Sequence, residues 1–214
     1  MRLLSLLSLV PLTLAATSPP PGALVVPTKF KTIQAAVNAA QNGQTIFIEP
    51  GTYEEQVFVQ PGKKGLTIIG SSSQENSYRD NRVTIQQGKS QADGINNDQT
   101  GTLRAHGDSL KVYNVNLVNT KGRGSQALAL SAYGDKQGYY GCQFRGFQDT
   151  ILSEKGHHYF ANSLIEGATD FIFGQHAQTW FQECDIHVTA QGWITGTFAV
   201  IPTGLINYSL TCPS

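Results

Sequence analysis

Charge is scarce in this chain. Asp, Glu, Lys and Arg make up 14% of its 214 residues, against about 25% in an ordinary globular protein. The 15 basic and 15 acidic residues cancel to a formal net charge of zero. With no net field and no basic run, the sequence lacks the electrostatic footprint of a nucleic-acid binder, and no such partner is expected. Long apolar runs are missing beyond the first residues, so no membrane association is expected either. Cysteine is rare and odd in number: Cys142, Cys184 and Cys212 cannot all pair within one chain. Their spacing matches no zinc site, and no metal is expected. What is plentiful is glycine, 22 residues, above the usual share of about 7%. Apolar residues at 40% suffice for a core. Few charges with many turn formers suggest a β-rich, secreted protein.

The N-terminus fits secretion. Arg2 precedes an apolar stretch from Leu3 to Leu14, and small residues follow at Ala15, Ala16 and Thr17. That is the layout of a cleaved signal peptide, expected over residues 1–17. The stretch is shorter than the about 20 residues a spanning helix needs. Residues 18–27 read as a Pro/Ser-rich linker. The mature protein is expected to be extracellular and monomeric.

One helix is expected, over Lys31 to Gln41, where Ile33, Ala36, Val37 and Ala40 share a face. Thr32 is its expected N-cap and Gly43 its stop. Short β-type runs follow at Thr45–Ile48, Leu66–Ile69, Val83–Ile85, Leu110–Leu117 and Ala127–Leu130, punctuated by Gly, Asn and Asp. These runs repeat. Tyr113-Asn-Val-Asn-Leu117, Tyr140-Gly-Cys-Gln-Phe144 and Phe160-Ala-Asn-Ser-Leu164 align, and Phe181-Gln-Glu-Cys-Asp-Ile186 follows with one extra residue. A period of about 20–25 residues without long helices points to a solenoid of stacked strands, a parallel β-helix. The helix is expected to cap its open end. Cys142 and Cys184 would then lie two coils, about 10 Å, apart, beyond the about 7 Å reach of a disulfide.

The same period brings chemistry together. Asp149 lies in Gly146-Phe-Gln-Asp-Thr150 and Asp170 in Gly167-Ala-Thr-Asp-Phe-Ile-Phe-Gly174, one coil apart. Gln126 and Gln148 are spaced likewise. Two carboxylates about 5 Å apart cannot both ionise cheaply, so one should hold its proton and the other act as nucleophile or electrostatic partner. Two neighbouring amides can donate to a developing oxyanion. Asp and Gln also cap turns and form ladders in solenoids, which is the structural alternative for any one of them. Tyr139, Tyr140, Phe147, Phe171 and Phe173 are aromatics expected near the site, as sugar platforms or as core. Phe171 suits the core better. His157 and His158 lie between the two Asp segments, but no Gly-x-Ser-x-Gly elbow accompanies them. His106, His176 and His187 read as ordinary residues.

These segments resemble a known family. Gly51-Thr-Tyr-Glu-Glu55, Gln126-Ala-Leu-Ala-Leu130, Gly146-Phe-Gln-Asp-Thr150 and Gly167-Ala-Thr-Asp-Phe-Ile-Phe-Gly174 are similar to four signatures of the pectin methylesterases, in family order. The resemblance runs from about Phe30 to about Val188 and looks most like the fungal branch. It implies an all-β, right-handed parallel β-helix over residues 28–190 and removal of methyl esters from polygalacturonate. It also implies Asp170 as nucleophile, Asp149 as general acid/base, Gln126 and Gln148 as oxyanion donors, and Thr102 with Phe173 against the sugar chain. No cofactor is implied. Phe173 is placed in the groove by this resemblance alone.

The chain departs from the family in one place. A Leu-Gly-Arg-Pro-Trp signature, whose Arg polarises the nucleophilic Asp, is expected after the Asp170 coil and does not occur. Residues 191–214 read instead as an atypical tail with the Asn207-Tyr-Ser209 glycosylation sequon and no alignable coil. A chain cut short, and poorly stable, is the expectation. Two other functions stay open on this ground: a pectin-binding β-helix with impaired chemistry, and another β-helix polysaccharide hydrolase. Carboxylates about 5 Å apart would also suit a retaining glycosidase.

Overall fold

The structure is a computed structural model that describes residues 16–196. Most of the expected signal peptide, the tail from residue 197 onward, Cys212 and the Asn207 sequon lie outside the described residues.

The chain winds into successive coils, each laying one strand on each of three sheets. It starts with β1 (Leu24–Val26) and helix α1 (Ile33–Ala39). The next coil holds β2 (Thr45–Ile48), β3 (Gly51–Glu54) and β4 (Val57–Val59). Then come β5 (Thr67–Gly70), β6 (Val83–Gln87), a one-turn helix α2 (Asn97–Thr100) and β7 (Leu103–Ala105). Three regular coils follow: β8 (Lys111–Tyr113), β9 (Asn116–Asn119) and β10 (Leu130–Ala132); β11 (Gln137–Tyr140), β12 (Gln143–Arg145) and β13 (Ile151–Ser153); β14 (Lys155–Ala161), β15 (Leu164–Gly167) and β16 (Ile172–Phe173). The described part closes with β17 (His176–Gln182), β18 (Asp185–Val188) and β19 (Thr195–Gly196). The sheets run β1-β2-β5-β8-β11-β14-β17, β3-β6-β9-β12-β15-β18 and β4-β7-β10-β13-β16-β19. Their ladders are parallel throughout. This is the parallel β-helix that the repeat predicts.

Inward side chains stack coil on coil. Ile46, Ile68, Val112, Tyr139, Phe160 and Phe181 form one buried column on the first sheet. The Tyr139, Phe160 and Phe181 rings stack at 4.7 and 4.9 Å. Ile85, Leu117, Phe144, Ile165 and Ile186 do the same on the second sheet, and Val57, Leu103, Leu130, Ile151 and Ile172 on the third. Burial of these columns supplies the main stabilisation, roughly 1.5–3 kcal/mol for each large side chain.

Corners are made by residues in the left-handed region. Asn114, Gly141, Asn162 and Glu183 turn the chain between the first and second sheets with φ of 54, 57, 50 and 51°. This breaks the expected Leu110–Leu117 run into β8 and β9. It also corrects the repeat alignment by one residue: Phe160 stacks on Tyr139, and Tyr140 stacks on Ala161. The Ala127–Leu130 strand shifts to Leu130–Ala132, because Ala127 and Ala129 spend their N–H groups at the corner, on Gln148 O and Thr150 O.

Helix α1 is shorter than the expected Lys31–Gln41. Thr32 is its N-cap, accepting from Ala35 N at 3.1 Å, and Ile33, Ala36 and Val37 are buried against β1, β2 and β4. Two boundaries differ from expectation. The expected 18–27 linker contains β1, which joins the first sheet because Leu24, Val25 and Val26 pair with β2. The tail read as unalignable starts with a coil strand, since Thr195 and Gly196 pair with Ile172 and Phe173.

Candidate active site

The candidate site lies at the corner between the second and third sheets. Asp149 occupies the β12–β13 turn and Asp170 the β15–β16 turn, with φ of 64 and 48°. Asp tolerates this region because its short side chain can hydrogen-bond locally. Asp149 N donates to Thr169 O at 3.0 Å, and Gln148 bridges Thr169 in parallel register. The two carboxyl-bearing residues therefore stand on successive coils, a step of about 4.8 Å. Gln126 and Gln148 stand one coil apart too, because Ala127 N donates to Gln148 O at 3.1 Å. Both glutamines are half-buried. The structure thus brings Asp149, Asp170, Gln126 and Gln148 to one corner.

The two carboxyls differ in environment. Asp149 is 7% exposed, and Asp170 is half-buried. Burial is the main cause that pushes the Asp149 carboxyl up to about 6; a hydrogen bond from Asn97 pulls against it, and the Asp170 charge adds to it. Sequence reasoning assigned the rise to charge repulsion, whereas burial contributes more. Asp170 N donates to Trp193 O at 2.7 Å, and a Cβ on Gly196 would come 2.8 Å from Asp170 Cβ. Glycine at 196 lets β19 close over the carboxyl's own coil. Among the described residues neither carboxylate has a basic partner within 4 Å.

The outer face of the third sheet continues from this corner. Phe58, Arg104, Ser131, Leu152 and Phe173 occupy its successive rows, ending at Gly196. Ser131, under Asp98 of α2, and Leu152 are buried, while Phe173, three residues past Asp170, is half-buried. Thr102 is placed differently from the expectation. It is fully buried, its hydroxyl donates to Val118 O at 2.9 Å and accepts from Gln87 Nε2 at 3.0 Å, so it is not on the groove surface. Of the other aromatics, Tyr139 and Phe171 are core. Tyr140, in β11, lies on the outer face of the first sheet, stacked on Tyr113 at 4.7 Å, away from the corner. Phe147 sits beside it, with the Arg123 guanidinium 4.8 Å over its ring. His157 and His158 fall on β14 in the first sheet.

One contact was missed from the sequence. Asn97, the first residue of α2, donates from Nδ2 to Asp149 Oδ2 at 2.9 Å. The capping box of Asn96 and Gln99 marks this helix and was the available signal. Among the described residues no cluster of three or more His, Cys, Asp or Glu is arranged to hold a metal ion. The corner offers a carboxyl pushed up to about 6, a second carboxyl, two amides and, beside them, the half-buried Phe173.

A family model described as Pectinesterase matches residues 25–200. A pectinesterase of Aspergillus niger is 47% identical over 177 residues, which are 79% of this chain and 54% of that protein. A crystal structure of the Aspergillus niger pectin methylesterase superposes with a TM-score of 0.81 at 39% identity, covering 85% of this chain and 62% of that one. The carrot pectin methylesterase superposes with a TM-score of 0.76 at 26% identity, covering 91% and 63%. The chain spans about half the length of the curated relatives it matches.

Proposed function

The chain belongs to the pectinesterase family, and from that premise we propose that it hydrolyses the methyl esters of polygalacturonate outside the cell. The observation that carries this reading is the stacked Asp149–Asp170 corner with a proton-holding Asp149.

The proposed chemistry balances on these groups. An Asp170 carboxylate oxygen attacks the C6 carbonyl carbon of a methylated galacturonate. Gln126 and Gln148 donate N–H groups to the oxyanion that forms. Asp149 gives its proton to the leaving methoxide, and methanol departs from an acyl–Asp170 anhydride. Asp149, now ionised, takes a proton from water as the hydroxide attacks the acyl carbon, which restores both carboxyls and leaves a free galacturonate. Phe173 offers an apolar platform to a sugar ring on the outward face. Secretion rests on the Arg2, Leu3–Leu14 and Ala15–Thr17 layout, and the expected partner is pectin bound by a monomer.

The test is methanol release from highly methylated pectin by the secreted chain. Asp170→Asn should lower kcat by on the order of a thousandfold or more. Because Asp149 must enter protonated, kcat/KM should fall as pH rises through about 6. A folded parent that binds pectin and releases no methanol would leave the pectin-binding reading in its place. Shortening of the polymer without methanol would point to a glycosidase instead.

A further inference from the structure

Helix α2 is too short to be held by its own hydrogen bonds, and other coils hold it instead. Thr100 Oγ1 donates to Asn97 O at 2.7 Å and accepts from Leu128 N at 3.1 Å. Gln56 Nε2, from the coil below, donates to Gln99 O and Gly101 O, both at 2.8 Å. Asp98 carries the strongest anchor. Its Oδ1 accepts from Ser131 Oγ at 2.7 Å and lies 2.8 Å from His106 Nε2, while Oδ2 accepts from Arg104 Nε at 3.1 Å. Burial pushes the Asp98 carboxyl up, but these three donors outweigh it and hold it well below the usual range. So Asp98 is a fixed anion pinned by β7, β10 and the residue after β7. The residue before it, Asn97, is the one that reaches Asp149.

Asn97 is costly to keep for stability alone. Its Oδ1 is buried without a protein partner, and an unmet buried carbonyl is destabilising. Among the described residues its side chain bonds Asp149 alone. That bond has a chemical consequence. An amide N–H donates and cannot accept, so it engages Asp149 Oδ2 as an acceptor and leaves the acid proton to Oδ1. The reverse amide orientation would set Asn97 Oδ1 against Asp149 Oδ2, two acceptors in contact whenever Asp149 is ionised.

We propose that Asn97 is a positioning residue for Asp149, held in place by the Asp98 clamp, and that it decides which carboxyl oxygen carries the catalytic proton. The inference rests on the esterase reading of this corner. Asp170 on the next coil is the ionisable group that acts on Asp149; the Asp98 charge is met by Arg104 and His106, and Arg123 lies over Phe147. The Asn97 donor favours the ionised form of Asp149, so loss of that bond moves the Asp149 midpoint up.

The experiment is Asn97→Ala, with Asn97→Ser as the second variant if the first is not folded by circular dichroism. The Asp149 carboxyl is titrated by carbon NMR in the unliganded protein, and methanol release is followed against pH. The expected result is an upward move of the Asp149 midpoint, a fall in kcat of roughly ten- to a hundredfold with KM little changed, and a falling limb displaced to higher pH. Asp98→Asn should move the same quantities in the same direction by less. A midpoint that stays in place in the folded Asn97 variant overturns the inference. A midpoint that moves in a parent that releases no methanol keeps the Asn97–Asp149 coupling and removes the esterase reading, so the two fail separately.

Discussion

At the scale of single residues, Asp149 sets function against stability. Its carboxyl titrates near 6 in the folded chain, above its ordinary 3.8. Between these values the folded state holds a proton that the unfolded state has released. The Asp149 contribution to stability is therefore greatest at acid pH, falls as pH rises from about 4 to about 6, and is then flat. The penalty at neutral pH is on the order of 3 kcal/mol at most. Asp149→Asn should remove it. The variant should be more stable than the parent at pH 7 and lose that advantage below about pH 4, read as urea midpoints at the two pH values. The residue-scale geometry was partly legible in sequence. A near-equal coil length in this part of the chain sets Asp149 beside Asp170 and Gln126 beside Gln148, so counting residues was enough to pair them. Thr102 was placed against the sugar chain by the family resemblance alone, and a matched position does not say which way its side chain points: here it turns inward, onto Val118 O and Gln87. The Asn96 and Gln99 capping box could have flagged the helix that carries Asn97, but not its contact with Asp149, which spans 52 positions of chain.

At the scale of elements, the helix was read from its period and its cap. Ile33, Ala36 and Val37 had to face one way, and Thr32 was suited to close the end. The sequence did not show that Glu55 adds a second cap, accepting from Ile33 N and Gln34 N at 2.9 Å each. Thr32→Ala should cost about 1 kcal/mol, and Glu55→Ala should add to it, because two further N–H groups and a favourable charge at the helix start are lost. Paired urea midpoints of the single and double variants would check this. Strand boundaries were harder to read, because β8 and β9 form one continuous β-type run in sequence. The break comes from Asn114, fully buried, whose Nδ2 donates to Gln74 O and Ser77 O and rewards a left-handed turn with tertiary bonds. The ring column is the element most exposed to damage. Phe160 stacks between Tyr139 and Phe181 and meets Phe144 edge-on. Phe160→Ala should cost about 3–5 kcal/mol in the same measurement.

At the scale of the whole molecule, the coils share one continuous core, and the two described cysteines report on it. Cys142 and Cys184 are free, buried thiols on either side of the Ser163 coil, as the repeat predicts. Burial pushes them up to about 12 and about 11, so neither is a thiolate at neutral pH. Native protein treated with a thiol reagent should keep both unmodified, and both should label together in denaturant, as seen by mass spectrometry. Early labelling of Cys184 alone would mean that the β17–β18 end opens separately from the middle coils. The whole-molecule shape was the most legible part, since a repeating period leaves few other folds. Its extent was not: β1 hid in a Pro-rich stretch and β19 in a segment with no visible repeat.

The left-handed corner at Asp149 and Asp170 also bears on inheritance. Side chains that rest easily in that backbone region are glycine, asparagine and aspartate. Codons for asparagine and glycine are each a single base change from those for aspartate. Mutation at either carboxyl thus reaches, in its shortest steps, the residues that silence the chemistry and spare the corner. On the proposed esterase reading, a lineage of this coil could lose its catalysis in one generation and go on folding.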